Sequence, residues 1–378
     1  MKYLITLGAL CVTLLTLSFA GGAGALSGQY AAHGTIGGVE VKTLVDSPLA
    51  RDLIHNPDAV LPGVAPEQPD CRAGGKLPDA DSLRQISREY SVDTATTLLL
   101  RCLEQVPQIR HAQQLFLSEL ARQRRDDASQ RAFVSARAQD YIILVVPGRC
   151  YKTTAQQTGA DLAEPGEIMS RLGFETHLVN VEDNGSVENG AARLVQSIHD
   201  HSRTGKKIIL VSASSGGPTV AAALRDPAVS GNPRLAGWLN ICGVLKGSPV
   251  IDTFMPWPRS LLLRAIAFVE GWKYHDLLSL SASHSKPRYA GFVPPGHLTV
   301  VNYIGIPFSG QVSDMGETFY NLLKAEGPND GLTLILDALA PGYTIMAIGN
   351  DHFVNNDPEI NLKTAALVPV LLRLIEEG

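Results

Sequence analysis

The stretch IILVSASSGGPTV, residues 208–220, runs from four apolar residues through three serines and a glycine pair into a segment with helical character. A continuous apolar run of this kind is typical of a strand that is buried on both faces of a parallel sheet. The small residues at its end predict a sharp turn from strand to helix. Such a turn can present a serine hydroxyl to a substrate.

Further apolar runs of strand length surround this stretch, and segments with helical periodicity separate them. With 206–213 as the third strand, the others are predicted at 141–148, 176–181, 235–244, 298–306 and 343–349. The alternation predicts an α/β domain over residues 139–378, with a mainly parallel central sheet flanked by helices.

The residues before this domain differ from it in character. Residues 1–25 combine a basic start, an apolar run over 3–20 and small residues that fit a cleavage site, so we expect a signal peptide and export to the periplasm or beyond. A membrane anchor formed by residues 3–20 is the alternative. Residues 26–78, rich in Gly and Pro, predict an extended arm, and residues 79–138 predict a helical N-terminal region.

The composition excludes some classes of function. The formal charge of −5 over 378 residues predicts no nucleic-acid-binding surface, and no Cys/His cluster indicates a metal site.

After cleavage four cysteines remain, and an even number in an exported protein permits disulfides. We expect Cys71 to pair with Cys102, because the two bracket one local segment. Cys150 and Cys242 both follow predicted strands and could approach one another.

Ser214 is the expected nucleophile. A strand that turns sharply into a helix forces the nucleophile into a strained conformation, and the small residues Ser212 and Gly216 on either side relieve the crowding. The helix N-terminus that follows favours developing negative charge. A register shifted by one residue, with Ser215 as nucleophile, is one alternative, and a turn without chemistry is another.

A serine nucleophile needs a histidine base and a carboxylate that orients it. His352, in AIGNDHFVN after the sixth strand, is the only histidine C-terminal to Asp330. Asp330, in GPNDGLTL, is the expected carboxylate, and Asp314, in PFSGQVSDMG nearer the fifth strand, is its competitor. Asp351 is expected to cap the histidine loop. An oxyanion hole needs two backbone N–H groups. The candidates are the N–H of Ser215, directly after the nucleophile, and that of Arg149, directly after Pro147-Gly148.

The order of these motifs resembles that of the α/β-hydrolase superfamily, over about residues 140–378. The resemblance rests on the turn VSASSGG, the loop VVPGR, the acid loop PNDGL and the histidine loop NDHF. The acid loop is similar to that of several bacterial lipases and esterases. Three features depart from the superfamily: proline before the oxyanion-loop glycine, serine at the first position of the turn, and helices in place of a leading antiparallel hairpin.

In that superfamily the insertion at about 246–297 usually forms a cap over the active site. Here it concentrates the aromatic residues Phe254, Trp257, Phe268, Trp272 and Tyr274. An apolar aromatic cap would suit an acyl or other hydrophobic substrate, although the same residues would also serve to pack the cap onto the core.

The resemblance implies a serine hydrolase of carboxylic esters that forms an acyl-enzyme intermediate and needs neither metal nor cofactor. Its expected partner is a small or lipid-like acyl substrate, with no nucleic acid, and with membrane contact only through an uncleaved N-terminal segment. A peptidase, amidase or acyltransferase would use the same nucleophile. A non-catalytic binding or envelope protein with a hydrolase fold is the remaining class.

Overall fold

The computed structural model describes residues 29–59 and 77–378, and the structural statements that follow concern these residues. The apolar run at 3–20 with its predicted cleavage sites lies outside them, and so does Cys71. Within the two described ranges, none of the helices has the length and apolar character needed to span a bilayer.

Two sheets occur in the described residues. Their strands are β1 (Tyr30–Ile36), β2 (Val39–Val45), β3 (Tyr141–Val146), β4 (Glu175–Leu178), β5 (Lys207–Ala213), β6 (Leu235–Ile241), β7 (Thr299–Ile306) and β8 (Tyr343–Ile348). The central sheet has six strands in the order β4-β3-β5-β6-β7-β8, and every neighbouring pair is parallel. The α/β fold with a mainly parallel sheet, predicted from the apolar runs, is confirmed.

Helices precede the sheet, cover its faces and build the insertion. Those that precede it are α1 (Pro48–His55), α2 (Ala80–Glu89), α3 (Val92–Gln105), α4 (Pro107–Arg124) and α5 (Ala128–Ala138). Those between β3 and β6 are α6 (Ala155–Thr158), α7 (Ala163–Arg171), α8 (Val187–His201), α9 (Gly216–Ala223) and α10 (Pro227–Ser230). The remainder are α11 (Pro249–Phe254), α12 (Arg259–Val269), α13 (Tyr274–Leu278), α14 (Ala282–Tyr289), α15 (Glu317–Leu323) and α16 (Ile360–Glu377).

The inner strands β3, β5, β6 and β7 are largely apolar on both faces because each face is covered by helices, whereas the edge strand β4 is not buried. Ile143 and Val145 of β3 belong to one apolar layer, with residues of α4, α7 and α16. Ile142 and Leu144 belong to the opposite layer, with residues of α8 and α9. Strands buried on both faces are continuous apolar runs rather than alternating ones, which is why they were recognisable in the sequence.

Residues 29–59 differ from the extended arm predicted over 26–78. β1 and β2 pair as an antiparallel hairpin, and α1 follows them. Gly37 and Gly38 connect the strands with φ of +56° and +77°, as a tight hairpin turn with two left-handed residues requires. A leading antiparallel hairpin is therefore present, as a separate two-stranded sheet.

The hairpin is a packed element. Every fourth residue of β1 and β2 is buried, and Ile36 and Val41 share an apolar cluster with Ile306 of β7 and Met346 of β8. Residues 29–59 thus form regular structure because they pack against the β7–β8 end of the central sheet. Composition alone did not distinguish this arrangement from an irregular segment.

The insertion at 246–297 forms α11 to α14 between β6 and β7. Its helices contribute Phe254 to a small apolar cluster that also includes Leu323 of α15, and Trp272 and Tyr274 pack against that cluster. Trp257 and Phe268, by contrast, are 80% and 87% exposed. The aromatic residues of the cap therefore divide between internal packing and the outer surface.

The described cysteines differ in their state. Cys102 takes part in a disulfide, and Cys71, its predicted partner, lies outside the described residues. Cys150 and Cys242 are free thiols, and Cys242 is fully buried.

A buried carboxylate joins the hairpin, the N-terminal helices and the central sheet. Asp93, fully buried in the first turn of α3, accepts hydrogen bonds from the backbone N–H of Asp46 at 2.7 Å and of Ser309 at 2.9 Å. The Ser309 hydroxyl donates a third at 2.5 Å. Burial, with a smaller contribution from the neighbouring Asp46 carboxylate, raises the pKa of Asp93 to about 7.

This carboxylate should make stability depend on pH. With a pKa of about 7 in the folded chain against an ordinary value of 3.8, Asp93 should make a contribution to the free energy of unfolding that falls as the pH rises between these values. The slope is at most about 1.4 kcal/mol per pH unit. In Asp93→Asn the slope of the free energy of unfolding against pH should become flatter, even if the variant is less stable overall. Urea unfolding measured across this pH range tests it, with the exposed Asp52→Asn as control; an unchanged slope in Asp93→Asn would contradict the assignment.

Candidate active site

The turn after β5 has the strained backbone that the sequence predicts. Ser214 adopts φ +51°, a left-handed conformation that residues with a side chain rarely take. Its N–H donates to the Ile241 carbonyl at 3.1 Å, and its carbonyl accepts from the N–H groups of Gly217 and Val244, both at 3.1 Å. These main-chain bonds to the end of β6 and the start of α9 hold the serine in place.

Gly216 has no room for a side chain. A Cβ there would lie 2.4 Å from the Val146 carbonyl oxygen and 3.0 Å from that of Pro147, both at the end of β3. Gly217 is similarly confined, since its Cβ would lie 2.7 Å from Oδ1 of Asn240 on β6. The glycine pair therefore lets the turn enter the space between the carboxyl ends of β3 and β6.

Ser212, which stands where many hydrolases have a glycine, has a specific partner. It is fully buried, and its hydroxyl accepts a hydrogen bond of 2.8 Å from the indole N–H of Trp238 on β6. A hydroxyl is tolerated at this position because its polar atom is satisfied. This departure from the superfamily pattern leaves the turn intact.

The structure brings Ser214, His352 and Asp330 into one hydrogen-bonded chain. Nε2 of His352 lies 2.9 Å from Oγ of Ser214, and Nδ1 lies 2.8 Å from Oδ2 of Asp330. The other carboxylate oxygen, Oδ1, accepts from the N–H groups of Leu332 and Thr333 at 2.9 and 2.8 Å. Asp330 is fully buried and His352 is 8% exposed, so bulk water does not weaken the hydrogen bond between the carboxylate and the imidazole.

The two other acidic residues considered for the site lie elsewhere. Asp314 is exposed. Asp351 is buried, and its carboxylate accepts from the N–H and hydroxyl of Ser313 at 2.8 and 2.6 Å and from the N–H of Phe353 at 2.9 Å. Asp351 therefore fastens the histidine loop to the loop after β7.

The two N–H groups expected to form the oxyanion hole make no hydrogen bond within the described residues. Neither the N–H of Ser215 nor that of Arg149 donates to another group there. Gly148, directly before Arg149, lies against Ser214, because a Cβ on it would be 3.3 Å from Cβ of Ser214. Both N–H groups thus remain available beside the serine.

A cavity of about 390 Å³ opens beside the serine and the histidine. Its wall is largely apolar and includes Leu162, Ile241, Tyr303, Phe353, Ile360 and Leu367. The contribution of the loop before α7 and of α16 was not predicted. Their residues carry no chemical motif, and only their distance from Ser214 in the fold makes them part of the site.

The side chain of Arg149 is a second feature that sequence reasoning missed. Its three guanidinium nitrogens are buried and have no hydrogen-bond partner among the described residues. The guanidinium carbon lies 5.1 Å from the ring centroid of Trp272 in the cap. Burial lowers the pKa of Arg149 from its ordinary value. Nothing in the sequence distinguishes this arginine from a surface arginine, since its contact with Trp272 of the insertion is made only in the folded chain.

The described residues form a parallel sheet with the serine turn after β5, the acid loop after β7 and the histidine loop after β8, which is the order expected of an α/β-hydrolase fold. No protein-family model and no curated protein matches the chain.

Several solved structures match it. The metagenomic carboxyl esterase MGS0156 aligns at 22% identity over 63% of this chain and 76% of its own, with a TM-score of 0.49. The mature lipase BlEst2 of Bacillus licheniformis aligns at 21% identity over 62% and 91%, with a TM-score of 0.47. Phospholipase PlaB of Legionella pneumophila aligns at 12% identity over 63% and 62%, with a TM-score of 0.45.

The packing at Gly216 predicts that even one methyl group disturbs the site. In Gly216→Ala the new Cβ must displace the end of β3, and overpacking of this kind costs about 1–3 kcal/mol. Reaction of Ser214 with a phosphonate probe should fall with it, because the same turn holds the serine. Gly296→Ala is the matched control, since a Cβ there meets nothing within 4 Å. Unfolding curves and probe kinetics measure both variants; equal behaviour of the two would refute this account of the turn.

Proposed function

We propose that the chain is an exported serine hydrolase that cleaves carboxylic esters through an acyl-enzyme intermediate. The proposal depends on one observation above all: the continuous hydrogen bonds from Ser214 Oγ through the imidazole of His352 to the buried carboxylate of Asp330. A hydroxyl, an imidazole and a carboxylate in this order are the groups needed to activate a serine.

In the proposed reaction, Ser214 Oγ attacks the ester carbonyl carbon while Nε2 of His352 accepts the hydroxyl proton. The Asp330 carboxylate, bonded to the Nδ1–H of the same ring, fixes the tautomer and stabilises the imidazolium. His352 then gives the proton to the departing alkoxide, which leaves as the alcohol. Water, deprotonated by the same nitrogen, hydrolyses the acyl-enzyme and restores the serine.

Two further features support ester chemistry. The free N–H groups of Ser215 and Arg149 can donate to the oxygen that becomes negatively charged in the tetrahedral intermediate. The apolar cavity of about 390 Å³ beside Ser214 has the size and lining to hold an acyl chain.

A fluorophosphonate probe should label Ser214, because an activated serine attacks phosphorus as it attacks a carbonyl carbon. Fragment masses of the labelled peptide distinguish Ser214 from Ser215. Labelling should disappear in Ser214→Ala and fall by at least about 10⁴-fold in His352→Ala. Circular dichroism serves as the control for folding. A well-folded chain that takes up no label would favour the non-catalytic class, and a label on Ser215 would shift the turn by one residue.

The choice of acid predicts a difference between two substitutions of the same kind. In Asp330→Asn the amide NH₂ can face Nδ1 of His352, which leaves the proton on Nε2, so that the imidazole no longer accepts the proton of Ser214. Ester hydrolysis should fall by about 10⁴-fold. Asp314→Asn, at an exposed residue, should leave hydrolysis of para-nitrophenyl esters unchanged. The reverse pattern would make Asp314 the acid.

A further inference from the structure

Arg149 carries a charge that the described residues do not pair. Its Nε and both terminal nitrogens are buried and lack a hydrogen-bond acceptor. An arginine in a protein keeps its proton, so this is a buried positive charge with five unused N–H donors. A buried charge without a partner is strongly unfavourable.

The neighbouring groups do not meet this need. The Trp272 ring, 5.1 Å from the guanidinium carbon, offers its face to the cation but no acceptor for the N–H edges. Asp183 has other partners, since it accepts from the N–H of Lys152 at 2.7 Å and the hydroxyl of Thr153 at 3.1 Å. Asp276 has Lys273 at 3.9 Å.

Arg149 lies close to the proposed nucleophile, Ser214. Gly148, the residue before it, lies against Ser214. Arg149 itself lines the cavity that contains Ser214 and His352, and also a smaller recess beside Ser215. An ester bound at Ser214 would therefore lie beside Arg149.

We propose that Arg149 is a specificity residue that binds an anionic group, a carboxylate or a phosphate, on the ester substrate. This inference rests on the proposed hydrolase function. A guanidinium presents paired N–H donors whose spacing matches two oxygens of either group. The anionic group would displace the Trp272 ring from the guanidinium and supply the acceptors that the chain lacks. The preferred substrate is thus an ester with an apolar acyl segment and a negative charge close to the scissile bond.

Two matched pairs of esters test the inference. Para-nitrophenyl hexanoate and mono-para-nitrophenyl adipate differ by a carboxylate on the acyl side. Monooctanoylglycerol and its phosphate monoester differ by a phosphate on the alcohol side. For each pair the ratio of kcat/KM, anionic over neutral, is measured in the natural chain and in Arg149→Met. The ratio should fall about 10- to 100-fold in the variant for the pair whose anion contacts Arg149.

Arg264→Met is the matched control. Arg264 lies 4.3 Å above the ring of Tyr274 in the same cap but is exposed, so its loss should leave both ratios unchanged. Arg149→Lys keeps the charge without the planar fork and should give an intermediate ratio. It also provides the measurement if Arg149→Met does not fold. The backbone N–H of residue 149 is present in every variant, so a change confined to the ratio reports the side chain.

The outcomes separate the inference from the proposed function. A fall in one pair supports it and identifies the side of the ester that carries the anion. Hydrolysis of the neutral esters with both ratios unchanged in Arg149→Met and Arg149→Lys would overturn the inference and leave the hydrolase proposal standing. Absence of hydrolysis and of phosphonate labelling in the natural chain would overturn both.

Discussion

The left-handed backbone at Ser214 is the constraint on which the site depends. A residue with a side chain holds this conformation at a cost of about 1–3 kcal/mol, so the surroundings must stabilise it. They do so through main-chain bonds to the Ile241 carbonyl and from the N–H of Val244. Gly216 completes the arrangement by packing against the end of β3. Three neighbouring parallel strands are needed to form this turn, because their carboxyl ends supply its contacts.

The same geometry explains how distant residues meet the serine. The loops after β7 and β8 leave the sheet at the edge where β5 ends, so Asp330 and His352 arrive there although 116 and 138 positions separate them from Ser214. Asp351 joins these two loops through Ser313. The N-terminal hairpin supports the edge from outside, since Asp93 connects the end of β2 to the residue Ser309 that follows β7.

Two buried charges near the nucleophile differ in one respect. Asp330 is fully buried, but each of its oxygens accepts at least one hydrogen bond, from the imidazole or from backbone N–H groups. The guanidinium nitrogens of Arg149 are buried without any such partner among the described residues. Buried polar groups are normally hydrogen-bonded, and the proposed anionic substrate group would supply the acceptors that Arg149 lacks.

The sequence by itself determined the six strands of the central sheet, the turn at Ser214 and the pair of residues that meet it, Asp330 and His352. Strands buried on both faces are unbroken apolar runs, and a strained turn requires small residues, so both leave a local pattern. Only the tertiary structure decided the packed hairpin within 26–78, the wall of the apolar cavity and the burial of Arg149. These depend on contacts between segments far apart in the chain, and the residues involved look the same in sequence whether they are packed or exposed.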